Sequence, residues 1–160
     1  TRDQLDIQNL YWLHALPETL PPQAEHFTLI HGSPRYPIWE YVLTPAVARI
    51  NFGYFDTPIC LMGHTHVPVL YRYHSEEQNA TAEPLPEDIP ISLDAERLMI
   101  NPGSVGQPRD GDARAAFALL DLDTMTLTHH RIEYNILATQ LRMGQAQLPM
   151  RLITRLSYGW

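Results

Sequence analysis

The sequence predicts a mixed fold, α/β or α+β, and three observations predict it. Short apolar runs of strand length are interleaved with stretches of helical periodicity. Two late strand-like runs follow one another directly. Three of the apolar runs end the same way, in a polar residue beside a glycine: Ile30-His31-Gly32, Met62-Gly63-His64-Thr65-His66 and Ile100-Asn101-Pro102-Gly103-Ser104. The 160 residues correspond to about one domain.

Each element has its own signal. Residues 1–15 predict a helix, because Ile7, Leu10, Tyr11 and His14 recur at helical spacing before "LPETLPP" stops it. "HFTLIHGSP" predicts a strand ending at His31-Gly32, and "TPAVARINFGYF" a helix with Thr44 as N-cap and Pro45 at its first position. "PICLMGHTH" and "VPVLYRY" predict two further strands. Residues 74–90 are acidic and proline-containing, which predicts a solvated loop or hairpin excursion. "RLMINPGSV" predicts a strand broken at Pro102-Gly103, and "QPRDGDAR" a loop. "AAFALLDLDTMTLTHHRIEY" predicts two strands joined by "LDTM"; "YNILATQLRMG" and "LPMRLITRLSYGW" predict the last two helices.

Composition narrows the partners. A net charge of −7 excludes a duplex-binding surface built on phosphate neutralisation, but leaves room for a small phosphorylated substrate. No apolar run approaches the ~20 residues that span a bilayer, so no membrane partner is expected. A single cysteine, Cys60, forms no internal disulfide, and the expected location is cytoplasmic. Trp39, Tyr41 and Trp160 are compatible with a homo-oligomeric contact.

The strand ends carry the chemistry. In open α/β sheets ligands gather beyond the carboxyl ends of the strands, and glycine there permits a sharp turn. His31, His64 and His66 are therefore candidate metal ligands. Imidazole suits manganese, iron, nickel and zinc alike. Arg35 and Arg109 follow site-like strand ends, where a guanidinium could hold a phosphate bidentately. His129-His130 read as one residue facing in and one out; Asp121 and Asp123 read as a hairpin turn, and Cys60 as a core thiol. Ser33 lacks a G-x-S-x-G elbow around it.

Taken together, "HGS" at 31–33, "GHTHVP" at 63–68 and "INPGSVGQPRDGD" at 100–112 resemble the last three motifs of the calcineurin-like metallophosphoesterases, in the branch of small bacterial and archaeal phosphodiesterases. The resemblance covers roughly residues 27 to 121. It implies a β-sandwich flanked by helices, with two divalent metal ions at the strand ends that activate a hydroxide against a phosphodiester or phosphomonoester. His31 and His64 match ligands of the second metal, and His66 a ligand of the first. Asn101, Gly103 and Ser104 match the loop beside the site, with a substrate-facing role.

The family's opening motifs, D-x-H, G-D and G-N-H-D/E, have no counterpart here. The resemblance thus implies that residues 1–160 are the C-terminal part of one metallophosphoesterase domain, completed by an N-terminal segment or chain that supplies the bridging aspartate and the proton-donating histidine. Alone, these residues are expected to hold metal weakly, to turn over poorly, and to leave the strands Phe27–Ile30 and Ile59–Met62 short of pairing partners. The alternative reading is a catalytically impaired binding or regulatory module of the same fold. A zinc hydrolase of another fold would account for H-x-H but not for "NPGSVGQPR".

Overall fold

The computed structural model describes residues 4–19, 26–94 and 97–160. In chain order the elements are α1 (Ile7–Ala15), β1 (Phe27–Leu29), α2 (Pro45–Asn51), β2 (Ile59–Leu61), β3 (Val69–His74), β4 (Asn79–Glu83), β5 (Pro90–Ser92), β6 (Arg97–Asn101), β7 (Ala115–Asp121), β8 (Thr126–Ile132), α3 (Ile136–Gln145) and α4 (Met150–Thr154). Short 3-10 turns follow α2 at Phe52–Tyr54 and α4 at Arg155–Ser157.

Two sheets form. The larger has the order β1-β2-β6-β3-β4 and the smaller β5-β8-β7. β1, β2 and β6 run parallel, whereas β3 is antiparallel to both β6 and β4. The smaller sheet is antiparallel throughout. Alternation along the strands divides the apolar residues between two cores. Ile59, Leu70, Leu98 and Ile100 turn toward the smaller sheet and pack with Leu93 and Leu127. Cys60, Tyr71 and Met99, their neighbours in sequence, turn the other way and meet Ala48 and Phe52 from α2 and its following turn. The result is a sandwich with a helix outside, as expected. Cys60 is fully buried, and burial pushes its thiol up to about 12.

Local chemistry explains the helix boundaries. The Thr44 hydroxyl accepts from Val47 N at 3.3 Å, and Pro45 opens α2 as expected. Asp6, not singled out from sequence, caps α1 by accepting from Asn9 N at 2.8 Å, so that helix starts at Ile7. The first residues of the expected helix, Thr1–Asp3, lie outside the described residues.

Of the two readings of the acidic segment, loop or hairpin excursion, the structure shows the hairpin. The segment closes a β3–β4 hairpin in which Ala80 is buried, and Leu85 joins the inter-sheet core. The expectation about unpaired strands needs correcting. β2 is an inner strand, paired on both sides by β1 and β6, so of these two strands only β1 has an open side among the described residues. Among those residues no helix is long and apolar enough to cross a membrane.

Candidate functional site

The parallel order β1-β2-β6 places three carboxyl ends side by side. His31 follows β1, the Gly63–His66 turn follows β2, and Asn101 closes β6. Backbone bonds lock them together: Gly63 N donates to His31 O at 2.9 Å, and Met62 N to Ile100 O at 2.9 Å. His64 and His66 both take left-handed backbone, with φ of 64° and 62°. For residues bearing a Cβ this conformation is costly and persists only when the surroundings impose it.

Asn101 imposes it. The residue is fully buried. Its Nδ2 donates to Gly63 O at 2.6 Å and to Thr65 Oγ1 at 2.8 Å, while its Oδ1 accepts from Gly103 N at 2.9 Å. Sequence gave Asn101 a substrate-facing role. The structure assigns it a different task, because its amide is enclosed and its donors are committed to the histidine turn.

The two histidines of that turn diverge. His64 stands beside His31, with His31 Nε2 and His64 Nδ1 2.9 Å apart and one ring donating to the other. Tyr41 stacks on the His64 ring at 4.1 Å between centroids. The other ring nitrogen, Nε2, is buried without a hydrogen-bond partner. His66 points instead to the loop after β6, and its Nδ1 donates to Gln107 O at 2.7 Å. That bond fixes the tautomer and leaves Nε2 with its lone pair available, the arrangement that orients a metal-ligating histidine. Burial lowers the pKa of both rings; the His31 ring adds to the effect at His64, and Arg109 and Arg155 add to it at His66. Both are therefore biased to the neutral form that binds metal.

The imidazoles fit a metal as a partial donor set. Among the described residues no cluster of three or more His, Cys, Asp or Glu side chains stands ready to hold an ion. Three imidazoles with an orphaned His64 Nε2 and a free His66 Nε2 would need oxygen donors from elsewhere.

The remaining candidates separate clearly. Gly103 takes φ +90°, and a Cβ there would come within 2.9 Å of Ala116 Cβ, so it serves close packing of the loop. Ser104 Oγ accepts from Gln107 N at 2.9 Å and shapes the loop that holds His66. Arg109 lies beside His66, its N donating to His66 O at 3.1 Å. Arg35, expected to meet a phosphate, is held instead by an ion pair with Glu40. Glu40 also accepts from Ser33 Oγ at 2.6 Å and Asn51 Nδ2 at 2.8 Å, which buries Ser33 as a structural hydroxyl. Asp121 accepts from Asp123 N and Thr124 N in the β7–β8 turn, as expected. His129 faces in and is buried; His130 pairs outward with Asp88 at 2.6 Å. Arg155 was missed. It sits in the turn after α4, with no motif around it to draw attention.

A helix-flanked sandwich with imidazoles past adjacent parallel strands defines a strand-end ligand site. Residues 8–125 match the profile of the calcineurin-like phosphoesterase superfamily domain, and the chain belongs to that superfamily. It is 33% identical over 163 residues to an uncharacterized protein of Methanocaldococcus jannaschii, an alignment that takes in 99% of this chain and 63% of that protein. A crystal structure of a metallophosphoesterase from Sphaerobacter thermophilus is 42% identical with a TM-score of 0.92, covering 100% of this chain and 64% of that one. A hypothetical protein from Pyrococcus horikoshii OT3 shares the fold, with a TM-score of 0.69 at 20% identity over 99% of this chain and 57% of that one. The chain thus spans somewhat under two thirds of the relatives it matches.

Proposed function

We propose that these residues are the histidine-bearing part of a metal-dependent phosphoesterase that hydrolyses a phosphodiester or phosphomonoester. The observation that carries the reading is the divergence of His64 and His66 at the end of β2, both on left-handed backbone held by Asn101. His31 and His64 would hold one divalent ion and His66 a second, with oxygen donors supplied from outside these 160 residues. Manganese, iron, nickel and zinc all suit imidazole. When bound, such ions supply positive charge against the phosphoryl oxygens and make a water nucleophilic at neutral pH. The chain's own residues do the positioning. Gln107 O orients the His66 ring, Tyr41 and His31 pack the His64 ring, and the Ser104–Arg109 loop closes one side of the site.

His64→Ala in the full-length protein tests the reading. Metal content by elemental analysis should fall with the loss of one ion's main ligand, and hydrolysis of bis(p-nitrophenyl) phosphate with manganese should fall with it. Unchanged metal content would refute the assignment.

The lack of a three-donor cluster among the described residues favours a second reading, a binding module of the same fold with impaired catalysis. A parent protein that takes up metal yet leaves every phosphate ester intact would support it.

A further inference from the structure

The loop from Ser104 to Asp112 has two differently charged sides. On one side the arginines are saturated by carboxylates. Arg114 donates to Glu87 Oε1 at 2.6 Å and to Asp112 Oδ2 at 2.7 Å, and Arg131 pairs with Asp110. On the other side, next to His66, stand Arg109 and Arg155, and among the described residues neither has a carboxylate partner. Arg109 Nη2 donates only to Gln107 Oε1, at 3.2 Å. The Nε atoms of both arginines are buried without an acceptor.

Hydrogen bonds bring the two together. Gln107, whose carbonyl holds His66, donates through Nε2 to Trp160 O at 3.4 Å. Trp160 N in turn donates to Arg155 O at 3.4 Å. A backbone contact secures the same junction: Gly111 N donates to Gly159 O at 3.0 Å, and at Gly159, with φ +66°, a Cβ would lie 2.6 Å from Asp112 O. The turn carrying Arg155 is thereby docked on the loop carrying Arg109. The charges of Arg109 and Arg151 both bear on the Arg155 guanidinium.

Like charges brought together in a partly buried place are unfavourable unless an anion compensates them. The chain has a surplus of acidic groups, yet the carboxylates of this loop region, Glu87, Asp110 and Asp112, go to Arg114 and Arg131, and among the described residues none goes to this pair. A guanidinium offers a planar fork suited to phosphate oxygens. Two such forks beside a metal site exceed what one scissile phosphoryl group, already facing divalent ions, would need.

We propose that Arg155, together with Arg109, binds a second phosphate group carried by the substrate, so that esters bearing a phosphate beyond the scissile one are preferred. The inference rests on the phosphoesterase reading above and adds to it the charge class of the substrate.

The test compares two p-nitrophenyl phosphodiesters in the metal-loaded full-length protein. One is bis(p-nitrophenyl) phosphate; the other is a nucleoside 5′-(p-nitrophenyl phosphate) carrying a 3′-phosphate. For Arg155→Met the ratio of kcat/KM values, second ester over first, should drop on the order of tenfold to a hundredfold, the range expected for losing a charge-assisted contact. The drop should lie in KM, and Arg155→Lys should recover part of it. Binding of inorganic pyrophosphate to the metal-free protein, read by calorimetry, should weaken by a similar factor in Arg155→Met. An equal loss on both esters, or unchanged pyrophosphate binding, overturns the proposal and makes Arg155 a packing residue. If the parent protein cleaves neither ester and does not hydrolyse p-nitrophenyl phosphate either, the phosphoesterase reading fails, and the pyrophosphate measurement still decides this one.

Discussion

The corner where β2 and β6 end and the flank, meaning the first two elements α1 and β1, are opposites. In the corner, the Asn101 amide is fully paired within the chain: it closes three hydrogen bonds, to Gly63, Thr65 and Gly103. In the flank, among the described residues, α1 has no buried residue and exposes Ile7, Tyr11, Trp12 and Leu13, while β1 pairs on one side only. The corner is a finished piece of structure whose geometry these residues determine themselves. The flank has apolar surface that the described residues do not cover. The left-handed histidines sit in the finished part, so their divergence does not depend on what covers the flank.

The largest effect should come from breaking the corner. Asn101→Ala removes three hydrogen bonds made from a fully buried side chain and leaves the Gly103 N–H without its acceptor, while the Gly63 carbonyl keeps Thr65 N and the Thr65 hydroxyl keeps Val67 N. At about 1 kcal/mol for each lost bond, with the unpaired N–H and the vacated space added, the total should be about 3 kcal/mol. Urea unfolding of parent and variant measures it. A loss below about 1 kcal/mol would mean that the histidine turn holds its shape without Asn101.

What was legible in the sequence follows the same division. The strand ends and their histidines could be read because a glycine beside a polar residue after an apolar run is local information. Thr44-Pro45 and the "LDTM" turn were legible for the same reason. The task of Asn101 was not, because its amide reaches back to residues 36 and 38 positions earlier, a pairing that only parallel β2–β6 registry creates. Arg35 misled because its partner Glu40 lies across an irregular loop. β4 and β5 were hidden by short length, small side chains and prolines, and nothing local in the acidic tract marks Leu85 as a core residue. Arg155 has no motif at all; it acquires meaning only when the last turn docks on Gly111-Asp112.

A middle-sized effect should appear on the far side of the corner, at His129. This ring is buried on β8 and neither nitrogen has a partner. Burial lowers its pKa, Arg131 lowers it further, and Glu87, Asp110 and the Pro102 backbone oppose the change without reversing it. The folded state therefore binds this proton less readily than the unfolded chain, whose value is about 6.5. Stability from the neutral ring is fully present above about pH 6.5 and is lost as pH falls from there toward the folded value. In the metal-free protein, unfolding free energy should decline from about pH 6.5 downward. His129→Leu should make that decline shallower and leave stability at pH 8 nearly unchanged, since it removes unpartnered nitrogens from an enclosed site. Identical slopes for parent and variant would show that the ring titrates normally.

The smallest effect should come from the flank, and it sharpens the contrast most. Trp12 and Tyr11 are 63% and 70% exposed on α1, so truncating them removes little contact within the described residues. Trp12→Ser in a protein of residues 1–160 should change the unfolding free energy by less than about 0.5 kcal/mol, as for ordinary surface positions. The same substitution in the full-length protein is informative by difference. If segments outside these residues close the flank, the ring becomes buried there, and its loss should cost about 3 kcal/mol or more, as for an aromatic removed from a core. Equal small effects in both proteins would leave α1 as solvent-facing helix, and the bare flank would be a property of the whole protein.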